Sequence, residues 1–493
     1  MDNKYSVRIM RSVIKNLKNV SFGEITYMNY GSINSKGIID KKDIVGLYGQ
    51  NGSGKTALVE SLDILKYIIR GASVPFDVYA GLLSKDYFSV IATDFFITRD
   101  NTKYKATYEV YLRANDSLKK IEIFKEKLTY WTRGSAWKAE RDITFENPYY
   151  DDMDLLSQQN LSIESEHKSS FKDIPFLLSI QNLALISAQN YRSVLFNGNV
   201  LKVAQELKKT DETNAFRDVI TGIMQFGTVD LNVVKVQQLG SINSNQFIPV
   251  NVHRETEIAI TQQIIMLDIT GVSEFPATYY EQVKAAVDAI NIAIRSIVPN
   301  LQLELNKKME LEQPDGTKTV QVDVYSNRNG KRFLIRYESE GIKRIISILN
   351  YLISVFNNEG VCLVVDELDS GIFEFLLGEL LGMMNKEMKG QLIFTSHNLR
   401  ILEMLDSKNI VCSTTNPDNR YIRLVGVEKN HNKRDFYIRA ITLGGQKEEL
   451  YDEDDLIAMG YAFRKAGKVN NDVKLSFSSD FERKLQAAAK QEE

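Results

Sequence analysis

The stretch Gly49-Gln50-Asn51-Gly52-Ser53-Gly54-Lys55-Thr56 follows an apolar run, Ile44-Val45-Gly46-Leu47-Tyr48, and precedes a segment in which Leu58, Leu62, Leu65 and Ile69 recur at helical spacing. Strand, glycine-rich turn and helix in that order leave few folds open. The glycines let successive backbone N–H groups curl around an anion with no Cβ in the way. The helix N-terminus adds partial positive charge. In such a loop Gly49, Asn51, Gly52, Ser53 and Gly54 cradle phosphates. Lys55 reaches the outer phosphates, and Thr56 offers a hydroxyl to Mg²⁺. The plain alternative is a strand–helix turn that binds nothing. The agreement of all three neighbours argues against it.

A chain of 493 residues, 43% hydrophobic and 25% charged, can bury a large core in one elaborated domain or a few units. The 61 basic and 64 acidic side chains leave a net charge of −3. That balance does not point to DNA. Lys15, Lys18, Lys41, Lys42, Lys202, Lys208 and Lys209 make only modest clusters. Cys362 and Cys412 are the sole cysteines, too few for a disulfide framework or a four-thiolate zinc site. The four histidines are scattered. No apolar run reaches spanning length and no signal peptide is visible, so a cytoplasmic protein without a membrane partner is expected.

Along the chain, residues 5–30 read as strands with a turn at Phe22-Gly23-Glu24, and 88–131 as an antiparallel meander. Residues 132–175 are polar and acidic and read as loops. Residues 199–226 and 253–298 read as helix-rich, the last helix ending near Pro299. Three strands are expected near 301–306, 318–325 and 332–337.

A second constellation lies downstream. Val361-Cys362-Leu363-Val364-Val365 is an apolar strand ending in Asp366 and Glu367. A buried strand delivers its last residues to the carboxyl edge of a sheet, where ligands bind. There Asp366 would hold Mg²⁺ through a water, and Glu367 would deprotonate an attacking water. Gln391-Leu392-Ile393-Phe394-Thr395-Ser396 is another strand, ending at His397, which could sense a terminal phosphate. Ser339-Glu340-Gly341-Ile342-Lys343-Arg344 opens an amphipathic helix. Its two early cations conflict with the helix dipole unless an anion docks there; an ordinary serine cap is the alternative. Asp369 follows the carboxylate pair, placed to reach across a subunit boundary.

These elements, in this order, resemble the ABC-type ATPase head shared by SMC-like and RecF-like proteins. Residues 49–56 resemble Walker A, 339–343 the signature motif, 363–367 Walker B, Asp369 the D-loop and His397 the switch histidine. The opening run Ile14-Lys15-Asn16-Leu17-Lys18-Asn19-Val20 is similar to the first strand of such heads. The resemblance implies an α/β fold: a mixed-sheet core, an antiparallel β lobe and a short helical insert. It divides the chain into an N-terminal lobe (1–198), the insert (199–298), a C-terminal lobe (299–450) and a helical tail (451–493). It also implies ATP and Mg²⁺ as ligands, with Glu367, His397 and Lys55 catalytic. Heads pair head-to-tail, singly or in a larger ring, so that Ser339, Gly341 and Asp369 act in trans on a partner's nucleotide. The glutamine expected near the metal is Gln181 or Gln189, with Gln189 preferred. Among soluble heads the chain most resembles the AAA-type ATPases of bacterial anti-phage defence operons, in particular the AriA type of the PARIS system. That likeness implies a sensor or scaffold controlling a separate Toprim-type or other nuclease and answering a phage-encoded trigger. The acidic run Asp452-Glu453-Asp454-Asp455 reads as a helix N-terminus rather than a metal site. The other reading is a RecF-like DNA repair or recombination ATPase that binds duplex DNA, with salt-dependent binding as its signature.

Overall fold

The computed structural model describes residues 5–27, 43–133, 137–146, 190–206, 211–235, 247–255, 260–268, 271–426, 432–451 and 456–469. The chain divides into two compact units, Met1–Leu450 and Tyr451–Glu493. In the first unit, a six-stranded central sheet runs in the order β18-β17-β3-β16-β15-β8. The strands are β3 (Asp43–Tyr48), β8 (Leu231–Val234), β15 (Cys362–Val365), β16 (Gln391–Thr395), β17 (Ile410–Ser413) and β18 (Tyr421–Ile422). All are parallel except the edge strand β18. Parallel strands are covered on both faces, so alternate residues enter different cores. Val45, Leu47, Cys362, Val364 and Ile393 pack into one core; Ile44, Tyr48, Leu363, Val365, Leu392 and Phe394 pack into the other.

The first core is roofed by an antiparallel sheet in the order β2-β1-β4-β5-β6-β7. These strands are β1 (Ser6–Leu17), β2 (Val20–Thr26), β4 (Ser89–Arg99), β5 (Thr102–Asn115), β6 (Lys120–Arg133) and β7 (Trp137–Glu146). Between the sheets lies α1 (Lys55–Ile69), whose Leu58, Leu62, Leu65 and Ile69 are all buried. Helices α2 (Phe76–Tyr79), α3 (Gly198–Glu206) and α4 (Asp211–Gln225) complete this side. On the other face lie α5 (Tyr280–Ile297), α6 (Glu340–Asn357), α7 (Glu374–Glu387), α8 (Leu399–Met404) and α9 (Lys433–Thr442). A hairpin, β9 (Phe247–Glu255) with β10 (Ile260–Asp268), and the sheet of β11 (Ser273–Pro276), β12 (Leu301–Glu312), β13 (Lys318–Arg328) and β14 (Lys331–Leu334) pack there too. Of the second unit, α10 (Leu456–Val469) is described, with Tyr461 and Phe463 exposed. The architecture is mixed α/β, as expected, and the meander and the first two strands after Pro299 form where they were expected; the third, β14, ends at Leu334 and gives way to a helical turn over Ile335–Tyr337. Among the described residues no helix is long and apolar enough to cross a membrane.

Several local readings change. The first turn lies at Lys18-Asn19, with Lys18 at φ 54°, not at 22–24. Gly23 sits inside β2 because a Cβ there would lie 2.5 Å from the Tyr421 ring. Part of 132–175 is strand: β7 pairs with β6 along a sheet edge, where polar alternation imitates a loop. Among the described residues of 253–298, only α5 and a short turn before it are helical. The run Ile264-Ile265-Met266-Leu267 fits either period and pairs as β10. The four-residue β8 was too short to stand out in the sequence. The acidic run 452–455 lies outside the described residues.

Candidate nucleotide site

The carboxyl edge of the central sheet gathers the ends of β3, β15 and β16. After β3 the chain turns through Gly49 (φ 152°), Gly52 (φ 78°) and Gly54 (φ 87°) into α1. The three glycines answer different demands. A Cβ on Gly49 would lie 2.0 Å from Ser413 Oγ, and one on Gly54 would strike Val20 and Arg420. Gly52 faces open space, so only its positive φ requires glycine. Lys55 is buried, and its Nζ donates to the carbonyls of Gly49 and Gln50, each at 2.8 Å. Burial pushes its ammonium down to about 8, while Asp366, Glu367 and Asp369 pull the other way. Thr56 is half-buried in the first turn of α1, and Asn51 is exposed.

Strand β16 lies between β3 and β15, so its last residue separates the loop from the carboxylates. That residue, Thr395, donates its hydroxyl to Asp366 Oδ1 at 2.5 Å and accepts the Glu367 N–H at 2.7 Å. Asp366 Oδ2 is buried and has no hydrogen-bond partner among the described residues. Such an oxygen, beside a threonine hydroxyl and a phosphate loop, suits a hard divalent cation that takes its other ligands from phosphate and water. Among the described residues no group of three or more His, Cys, Asp or Glu could hold a metal ion. Glu367 has φ 48°, a left-handed conformation costing a non-glycine residue about 1–2 kcal/mol. The His397 N–H donates to Asp369 Oδ2 at 3.2 Å. Burial and the neighbouring Lys55 hold the exposed-edge imidazole below its ordinary value, opposed by Asp369, Glu367 and Asp366.

Ser339 is the N-cap residue of α6, yet its side chain makes no capping bond and is exposed. The ordinary-cap reading therefore has no hydrogen bond behind it. The cations behind it do not wait for an anion, as the sequence suggested. Lys343 is buried against Glu340 at 3.2 Å and the Arg336 carbonyl at 3.3 Å. Arg344 turns inward to the Glu367 carbonyl at 2.6 Å. Gly341 packs on the chain after Asp369: a Cβ there would lie 2.9 Å from the Gly371 carbonyl oxygen.

Other contributors escaped the sequence reading. Ser413, at the end of β17, meets Ser53 Oγ at 2.5 Å and donates to the Tyr48 carbonyl at 3.1 Å. The Tyr421 hydroxyl donates to the Gly54 carbonyl at 2.7 Å. Arg420 donates to the carbonyls of Asn19 and Thr414. The β17–β18 hairpin thus braces the glycine loop from behind. Lys235, just past β8, pairs with Asp63 of α1 at 2.9 Å and donates to the Tyr79 hydroxyl oxygen at 2.8 Å. Only Ser413's position at a strand end hinted at any of this. Gln181 and Gln189 lie outside the described residues.

The chain is similar to the SMC head domain from Thermotoga maritima at 12% identity, over 85% of this chain and 99% of that one, with a TM-score of 0.36. It is similar to an Smc head domain with a coiled coil and joint from Pyrococcus yayanosii at 11% identity, over 88% and 99%, with a TM-score of 0.38. It is also similar to the ATP-bound recombination mediator protein RecF at 12% identity, over 80% and 94%, with a TM-score of 0.32. No curated protein matches the sequence. The model of one domain family matches residues 44–403, which hold the glycine loop, the start of α6, both carboxylates and His397. The chain therefore belongs to the AAA family described as "AAA domain, putative AbiEii toxin, Type IV TA system".

Proposed function

We propose that this chain binds ATP with Mg²⁺ and hydrolyses it between paired copies, as the ATPase that governs a separate effector. The observation that carries the reading is the convergence on one sheet edge of Lys55, Asp366, Glu367 and His397, whose charges act on one another. Lys55 and the N–H groups of 49–56 would bind the phosphates. Thr56 and Asp366 would hold Mg²⁺, with Gln189 the proposed third contributor. Bound Mg²⁺ supplies charge neutralisation on the outer phosphates. Glu367 would accept the proton of the attacking water, and His397 would donate to the terminal phosphate. Ser339 and Asp369 would serve the nucleotide of a second copy, together with the Gly341 backbone. The free hydroxyl of Ser339 supports that role, as do exposed Tyr337 and Phe373 beside it and beyond Asp369. The family description names a Type IV TA system, which supports a partnered role. We assign that role to anti-phage defence, with a Toprim-type nuclease as effector and a phage protein as trigger.

The test combines nucleotide binding, turnover and mass. Lys55→Ala should abolish binding. Glu367→Gln should bind ATP, double in mass on adding it, and fail to turn over. Hydrolysis at the wild-type rate in Lys55→Ala would refute the site.

A further inference from the structure

Glu367 occupies a backbone conformation that a side chain at Cβ disfavours, so something must hold it there. Two straps do. On the amide side, Thr395 Oγ1 accepts the Glu367 N–H at 2.7 Å. On the carbonyl side, the Arg344 guanidinium donates to Glu367 O at 2.6 Å. Arg344 is 1% exposed, the largest fully buried side chain in the described chain. It belongs to α6, one turn past Gly341, whereas Glu367 follows β15. Its stem also packs on the same loop: a Cβ on Gly371 would sit 3.3 Å from Arg344 Cδ. Gly341 rests on the Gly371 carbonyl from the same helix end. Burial lowers the guanidinium to about 10, and Asp369 and Glu367 restore part of the charge. A lysine keeps a single donor without the planar fork, so it can replace this bond only in part.

We infer that Arg344 is a positioning residue for ATP hydrolysis: it ties the start of α6 to Glu367 and sets that carboxylate for its water. The inference rests on the proposed ATPase reading and deepens it. It joins two sites that the pairing would otherwise keep apart. Ser339 and Gly341 would touch a partner's nucleotide, while Glu367 works on the chain's own. Any shift of the helix end on engaging the partner is then delivered to Glu367 through one buried side chain. Arg344 acts through the Glu367 backbone.

The experiment measures ATP affinity, kcat and KM for the wild-type chain, Arg344→Met and Arg344→Lys. Arg344→Met keeps the length of the stem and removes the donor. A misplaced general base costs about tenfold to a hundredfold in rate. The expected result is that loss in kcat for Arg344→Met, with ATP affinity within about twofold of wild type because the glycine loop is untouched. Arg344→Lys, which keeps one donor, should recover part of the rate. A merely structural arginine would lower affinity and kcat together and gain nothing from lysine; that result overturns the inference, as does full kcat in Arg344→Met. If Arg344→Met does not fold, Arg344→Lys decides by the same split. A wild-type chain that binds ATP without hydrolysing it, or does not bind it, would instead defeat the ATPase reading, and the inference with it.

Discussion

Lys55 should make ATP affinity depend on pH in a range where phosphate binding is ordinarily flat. Its ammonium sits at about 8 rather than its ordinary 10.5, chiefly because it is buried against the backbone of its own loop. The phosphates need the charged form. As pH rises through 8 the competent fraction falls, and the apparent dissociation constant rises as its inverse. With a pKa of about 8, the charged fraction is roughly three-quarters at about pH 7.5 and a tenth at about pH 9, so affinity should weaken about eightfold. The sign for folding is opposite. Between about 8 and 10.5 the unfolded chain holds a proton that the folded chain has lost, so Lys55 adds stability as pH rises through that window. The assay is titration of a fluorescent ATP analogue at both pH values with saturating Mg²⁺. Lys55→Arg is the control, because a guanidinium stays charged and should remove the slope. An affinity unchanged between the two pH values, or the same slope in Lys55→Arg, would refute the reasoning.

The glycines of the loop should separate by mechanism. Gly49→Ala forces a Cβ against Ser413 and should cost about 1–3 kcal/mol, whereas Gly52→Ala meets open space and should cost about 1 kcal/mol; urea unfolding midpoints check both. Thr395→Val keeps shape but unties both Asp366 and the Glu367 N–H in a buried site. It should destabilise the chain by about 2–4 kcal/mol and slow turnover more than it weakens ATP binding, read by the same unfolding assay and steady-state kinetics.

How far the sequence reached depends on how local each cause is. The loop at 49–56, the strand before it and the stripe of α1 are written in adjacent residues, and all are found where their pattern puts them. The apolar run before Asp366 likewise forms β15. What the sequence concealed is held together by distant partners. Thr395 looks like the end of any strand until β16 is seen between β3 and β15. Arg344 looks like a misplaced cation until the Glu367 carbonyl appears beside it. Gly23 imitates a turn because proximity to Tyr421 leaves no trace in nearby residues. Strand β10 was hidden for another reason: four consecutive apolar residues satisfy both periods, and only the pairing with β9 decides.

The brace behind the glycine loop has a bearing on how the protein is made. Gly54 leans on Tyr421, Ser53 on Ser413, and Asn19 on Arg420, contacts that span most of the first unit in chain length. The ribosome delivers residue 54 long before residue 421. Until the later segment leaves the exit tunnel, the nascent loop lacks its backing and should not capture nucleotide. Competence would arrive almost at once, when residues 413–421 have emerged, so that shorter nascent chains stay silent rather than consuming or sequestering ATP.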